Sequence, residues 1–196
     1  TLEYTAPELL GDEANGQLEV TSGDSSAALS DGFYTMLGNR TEEDNEQVDF
    51  ILVYDNNGTL RSEIPIRSYR SCRLLFDGGT MYYSTSADQI AALDNTGRIT
   101  ALYDTGDYNL HHDYIFGSNN DFLVLATDTT SNTEEDRIIS ISRDSGEITE
   151  IIDLADLFTD YFNSLENDEE DFDWMHINSL SLIGDDSLIL SSRETS

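Results

Sequence analysis

From Val48 onward the chain is a succession of short β-type runs, and the turns between them are of two kinds in strict alternation. One kind brings Asp and then Gly: VDFILVYDNNGTLRSEIPI, QIAALDNTGRITALYD and RIISISRDSGEITEII. There Asp55, Asp94 or Asp144 is followed two or three residues later by Gly58, Gly97 or Gly146. The other kind is tighter: CRLLFDGGTMYYSTS, DYIFGSNNDFLVLA and SLSLIGDDSLILSS. Gly and Asn supply the positive φ that such hairpins need, and Asp bonds its own turn amides. Two successive hairpins make a four-stranded antiparallel unit. The tight turns at Gly78 and Asn119 stand 41 positions apart, the period of a propeller blade. The Asp-Gly turns are 39 and then 50 apart, as variable outer loops would be.

This pattern predicts an all-β fold, a β-propeller of which about three blades of a larger closed ring are present. An open β-sandwich is the second choice. A third interval is stretched by DLADLFTDYFNSLENDEEDFD, where Leu154, Leu157, Phe158, Tyr161, Phe162 and Leu165 recur at helical spacing. A short amphipathic helix inserted near 154–166 follows. Residues 1–30, rich in Gly, Ser, Ala and acids, read as a lead-in segment with one short strand near 18–20. Residues 31–196 read as a partial propeller domain truncated on its C-terminal side, since the last hairpin leaves a blade half written.

Charge narrows the partners. Forty Asp and Glu stand against nine Arg and no Lys, a formal charge of -31. Such a surface repels nucleic acid and anionic membrane, and it keeps a protein soluble in high salt or outside the cell. No apolar run is long enough to span a membrane. The expected location is extracellular or periplasmic, as a secreted chain that is free or surface-anchored. Cys72, alone in the chain, excludes an internal disulfide framework and reads as a buried small residue.

Against that acidity, a few basic groups in the second half of the chain form a pattern. His111 and His112 stand in NLHHDYIF, and His176 stands in DWMHINS. Both motifs open a tight-turn hairpin, the same place in consecutive units. If the units are blades, their first strands line one channel, so His112 and His176 converge there. Arg193 leaves the return strand of the hairpin that His176 opens. Arginine forks onto two oxygens and imidazole adds a directional bond, so the three together suit an oxyanion. The alternative makes the histidines strand-edge residues and Arg193 a partner for a carboxylate.

HHDYIFGSNNDFLVLA and DWMHINSLSLIGDDSLILSSR also resemble the bacterial arylsulfate sulfotransferase family, over roughly residues 108–194. Its members carry a His-Asp at a strand start and an Asp-Trp-x-His-x-Asn-Ser segment followed one hairpin later by Ser-Ser-Arg. The resemblance implies a β-propeller that moves a sulfuryl group from a phenolic sulfate ester to another phenol, through a sulfated histidine and without a nucleotide donor. It implies aryl sulfates and phenols as partners and no cofactor. His112, which directly precedes Asp113, and His176 match the family's active-site histidines, and Arg193 matches its sulfate-holding arginine. Asn178, Trp174 and His111 are then expected to line the substrate. In the family the histidine that becomes sulfated lies further toward the C-terminus, and no histidine follows His176 in these residues.

Two other readings compete. A non-catalytic propeller could bind a small anion, a sugar or a protein, because fold alone does not choose function. A calcium-stabilised protein is suggested by DNNG, DNTG and the acidic run 166–173, but those loops lack the ligand count and the trailing bidentate Glu of a calcium loop. No metal is expected at the histidines either. Adjacent residues on a regular strand face opposite ways, which keeps His111 and His112 from sharing one ion. The tyrosines, Tyr82 and Tyr83 among them, read as strand packing.

Overall fold

The computed structural model describes residues 33–39, 49–56, 58–66, 73–165, 172–184 and 187–195. The predicted lead-in at 1–30 and Cys72 lie outside them. The described chain is nearly all β, with every sheet antiparallel and none closed on itself. It falls into two compact units, residues 1–67 and 68–196.

In the first unit, β1 (Tyr34–Asn39), β2 (Asp49–Tyr54) and β3 (Leu60–Ile66) form one meander in chain order. Phe50, Leu52 and Tyr54, alternate residues of β2, make its small core with Leu60. The β2–β3 connection is the first Asp-Gly turn, closed by the Asp55 N–H on the Thr59 carbonyl.

In the second unit, β4 (Leu75–Asp77), β5 (Thr80–Ser86), β6 (Gln89–Leu93) and β7 (Ile99–Asp104) form a four-stranded meander. A second follows: β8 (Tyr108–Phe116), β9 (Asp121–Asp128), β10 (Arg137–Ser142) and β11 (Ile148–Asp153). The hairpin of β12 (Ile177–Ile183) and β13 (Ser187–Ser192) comes last. The alternating turns fall where the sequence sets them. Asp77 pairs with Thr80 across Gly78 and Gly79, both at positive φ, the geometry of a two-residue primed turn. Asp94 accepts the N–H groups of Thr96 and Arg98 and the Thr96 hydroxyl. These bonds hold its carboxyl below the usual range and use it within the turn, as a hairpin loop requires.

The β8–β11 sheet is buried on both faces. On β9, Phe122, Val124 and Ala126 face one way, Leu123 and Leu125 the other, and all five are buried. A strand covered on both sides reads as a continuous apolar run, which is why FLVLA shows no alternation. The first face packs on Tyr82, Ile90, Ala92 and Tyr103 of the preceding sheet. Tyr82 and Tyr103 meet the Phe122 ring edge-on at 5.3 Å each. Such pairs add about 0.5–1.5 kcal/mol beyond area burial. The Arg143 guanidinium, 4.8 Å above the Tyr82 ring, donates to Asp77 and to the Tyr82 hydroxyl and so locks the two sheets together. The second face packs on Leu154, Trp174, Met175, Ile177 and Leu180.

The predicted inserted helix is two single turns, α1 (Leu154–Leu157) and α2 (Thr159–Phe162). Asp153 caps α1 by accepting from the N–H groups of Ala155 and Asp156. Phe158, at φ -112 and ψ 40, leaves helical geometry and divides the pair. Leu154 is buried, Phe162 and Leu165 are half-buried against the same cluster, and Leu157, Phe158 and Tyr161 are exposed, so half of the six-residue apolar stripe finds cover.

Candidate functional site

Two irregularities of pairing build the site. Along β8, Leu110 pairs with Ala126 and the next pair is Tyr114 with Val124. His111, His112 and Asp113 therefore face Leu125 alone, and the strand bulges out. At the start of β12, Ile177 pairs with Ser192 and Ser179 with Ser191, which leaves Asn178 extra. The histidines at these bulges share one uncommon backbone state, φ 43 at His112 and φ 45 at His176. Among the described residues, four that are not glycine have positive φ: these two, Asn120 and Glu135. Asn120 serves a turn. The other three meet. Each such position costs roughly 1–3 kcal/mol, and strain of this kind gathers at functional sites.

His112 and His176 face each other with their Nε2 atoms 3.3 Å apart. The Glu135 carboxylate lies 2.9 Å from His176 Nδ1 and 3.5 Å from His112 Nε2. Asp173 also contacts His176 Nδ1. Carboxylates only accept, so Nδ1 of His176 carries the hydrogen. Glu135 belongs to the β9–β10 connection, whose course is fixed elsewhere. Its N–H donates to the Thr127 hydroxyl, the Glu134 N–H to the Phe172 carbonyl, and the Phe172 N–H to the Asn132 carbonyl. Those bonds bring the Glu135 loop against the segment that carries Asp173 and His176.

The remaining predicted residues take different places. Arg193 reaches the cluster at one remove: its Nη2 is 3.6 Å from the Asp173 carboxylate and its Nε donates to Glu194. Its side chain is 57% exposed, against 5% for Glu135, so the cluster runs from a buried base to an open rim. The hydrogen bond it donates to Glu194 raises the Arg193 pKa. The backbone joins the two ends of the hairpin as well, since the Arg193 N–H donates to the His176 carbonyl. Asn178 donates weakly to the same carbonyl at 3.4 Å. Trp174 is buried against Phe162, with its indole N–H on Asp136, so its ring braces the loop below the histidine. Asp113 takes no part in the imidazole cluster. One of its oxygens pairs with Arg73 at 3.1 Å, and the other accepts from the Leu180 N–H of β12. It thus ties together the chain leading into β4, the bulge of β8 and the strand after His176.

The bulge also removes the premise that separated His111 from His112. Their rings lie 5.6 Å apart, edge to face, and His111, His112 and Glu135 bring ligand atoms within 4.8 Å of one another. Glu135, Asp173 and His176 do the same. Two imidazoles with one carboxylate form a donor set that suits a zinc-type ion, and the unperturbed strand geometry expected from sequence had concealed it. Glu135 itself carries no sequence signal, being one acid among forty. Asp173 had a weak one, three residues ahead of His176 in DWMH.

A protein-family model described as Arylsulfotransferase (ASST) matches residues 19–196. No curated protein matches the chain.

Proposed function

The chain belongs to the arylsulfotransferase family, and we propose that the cluster of His112, His176 and Arg193 holds the sulfuryl group of an aryl sulfate for transfer to a phenol. The observation that carries this reading is the Nε2–Nε2 approach of 3.3 Å between histidines from two successive sheets, each on a strained backbone. Two imidazole edges so close can address neighbouring oxygens of one anion. Arg193 adds a forked donor at the rim once its guanidinium turns from Glu194 to the ligand. As the S–O bond breaks, charge develops on the sulfuryl and phenolic oxygens. Arg193 and one imidazole stabilise it, and the other imidazole protonates the departing phenolate. The sulfuryl group passes through a histidine, which the family pattern puts C-terminal to His176. Asn178 and His111 are assigned to the substrate's surroundings, and Trp174 to bracing the loop.

In the same reading the four-stranded meanders are propeller blades. Asp113 favours this by fastening three successive sheets near their first strands. An extracellular or periplasmic setting goes with the acidic, lysine-free composition. A non-catalytic anion-binding module is the second reading, favoured by the exposure of Arg193 and its pairing with Glu194.

The test is the intact mass of the protein after brief exposure to an aryl sulfate near neutral pH, followed by a phenol. Gain of one sulfuryl group by a chain that carries the C-terminal histidine, lost when the phenol is added, is the expected result. Saturable binding with neither adduct nor turnover favours the module instead.

A further inference from the structure

A buried carboxylate is an odd neighbour for an anion. Glu135 is almost fully enclosed, lies 3.5 Å from His112 Nε2 and 2.9 Å from His176 Nδ1, and is held there on a backbone at φ 56. Any anion that accepts a hydrogen bond from His112 or His176 sits within a few ångströms of it. In a partly desolvated site that repulsion is large, and it scales with the charge of the ligand. A sulfate monoester carries one negative charge. A phosphate monoester of the same shape carries close to two at neutral pH, because its second pKa is about 6.

We propose that Glu135 is a specificity-determining residue that makes this site accept sulfuryl monoanions and reject phosphoryl dianions. The proposal rests on the reading that an aryl sulfate binds at His112 and His176. Its physical content is a power law. If one nearby negative charge weakens a monoanion by some factor, it weakens a dianion in the same pose by that factor squared. Asp173 bears on the same ligand but shares its charge with Arg193, at 3.6 Å, as well as with His176. Glu135 is the more enclosed of the two, so its charge is the less screened. A shape filter alone would not separate the two esters, which are nearly isosteric.

The experiment measures the affinity of the protein for 4-nitrophenyl sulfate and 4-nitrophenyl phosphate by calorimetry, in wild type, Glu135→Gln and Glu135→Asp. At pH 7.5 the Gln variant is expected to bind the sulfate about tenfold more tightly and the phosphate about a hundredfold more tightly, so that discrimination falls about tenfold. The Asp variant, which keeps the charge, keeps the discrimination. Wild type supplies an independent arm. Lowering the pH from 7.5 to 5.0 raises the monoanion share of the phosphate ester, so its affinity relative to the sulfate should rise.

Equal changes for the two esters in the Gln variant, or a ratio that ignores pH in wild type, overturn the role of Glu135 while leaving the sulfuryl site standing. Absence of 4-nitrophenyl sulfate binding to wild type and both variants overturns the site reading and this proposal with it.

Discussion

His112 and His176 share a backbone state and a place at the head of a hairpin, yet their surroundings differ. His112 stands on a bulge of a sheet buried on both faces, and its own ring is 35% exposed. His176 precedes a two-stranded hairpin whose outer side leaves Ile183 and Ile189 exposed, yet its ring is 13% exposed and held by Glu135 and Asp173. The better-buried sheet thus carries the freer histidine. Rigidity at these positions comes from the carboxylates that converge on a ring and not from the packing of the strand beneath it. His176 is held between two carboxylates, and His112 meets one of them, at 3.5 Å.

Substitutions can break that contrast, and the largest effect is expected on chemistry. Arg193→Ala should lower sulfuryl transfer about a hundred- to thousandfold with an unchanged melting temperature, because a rim donor is lost and no core contact is. Retained turnover would reject its role. Glycine at each histidine sharpens the comparison directly. His176→Gly leaves the Glu135 and Asp173 charges without their imidazole and should cost about 3 kcal/mol in urea unfolding. His112→Gly relieves positive φ at a more exposed position and should change stability by less than about 1 kcal/mol. A larger cost at His112 would show that burial of the strand governs after all.

Asp113→Ala cuts the tie between the two regions. It strips the Leu180 N–H and Arg73 of their partner, with an expected loss of about 2 kcal/mol. A further effect is alkaline. Tyr108 donates to Glu150, and desolvation together with that carboxylate pushes its pKa from 10.0 up to about 12. Burial raises Tyr114 and Tyr83 as well. The folded state holds these protons more tightly than the unfolded chain does. Their stabilisation is therefore complete below about pH 10 and declines as pH rises toward 12. All three tyrosines lie on β5 or β8, so near-neutral melting temperatures should persist to about pH 10 and then fall, with the β4–β11 sheets giving way first in hydrogen exchange. A flat alkaline profile would contradict this.

Much of the fold is legible because turn chemistry is local. Asp94 bonds its own loop, and Gly78–Gly79 adopts positive φ, whatever surrounds them. The meeting of His112 and His176 was legible for a similar reason: equal places in a repeated unit arrive at equal places in space. The helix was only half legible. Its spacing is present in the sequence, but Phe158 leaves helical geometry and the stripe finds cover only at Leu154 and around Phe162.

By itself, then, the sequence determined the strands and the alternating turns, since each depends on φ preferences and periodicity within a few residues, and it suggested the approach of two histidines only through the repeat. Tertiary structure alone decided the rest of the site. Glu135 becomes a buried partner of two imidazoles only when its loop is tied to Thr127 and Phe172, and Trp174 goes inward because Phe162 and Asp136 are there to receive it. One carboxylate among forty acquires meaning through what encloses it, because burial sets how strongly a charge is felt.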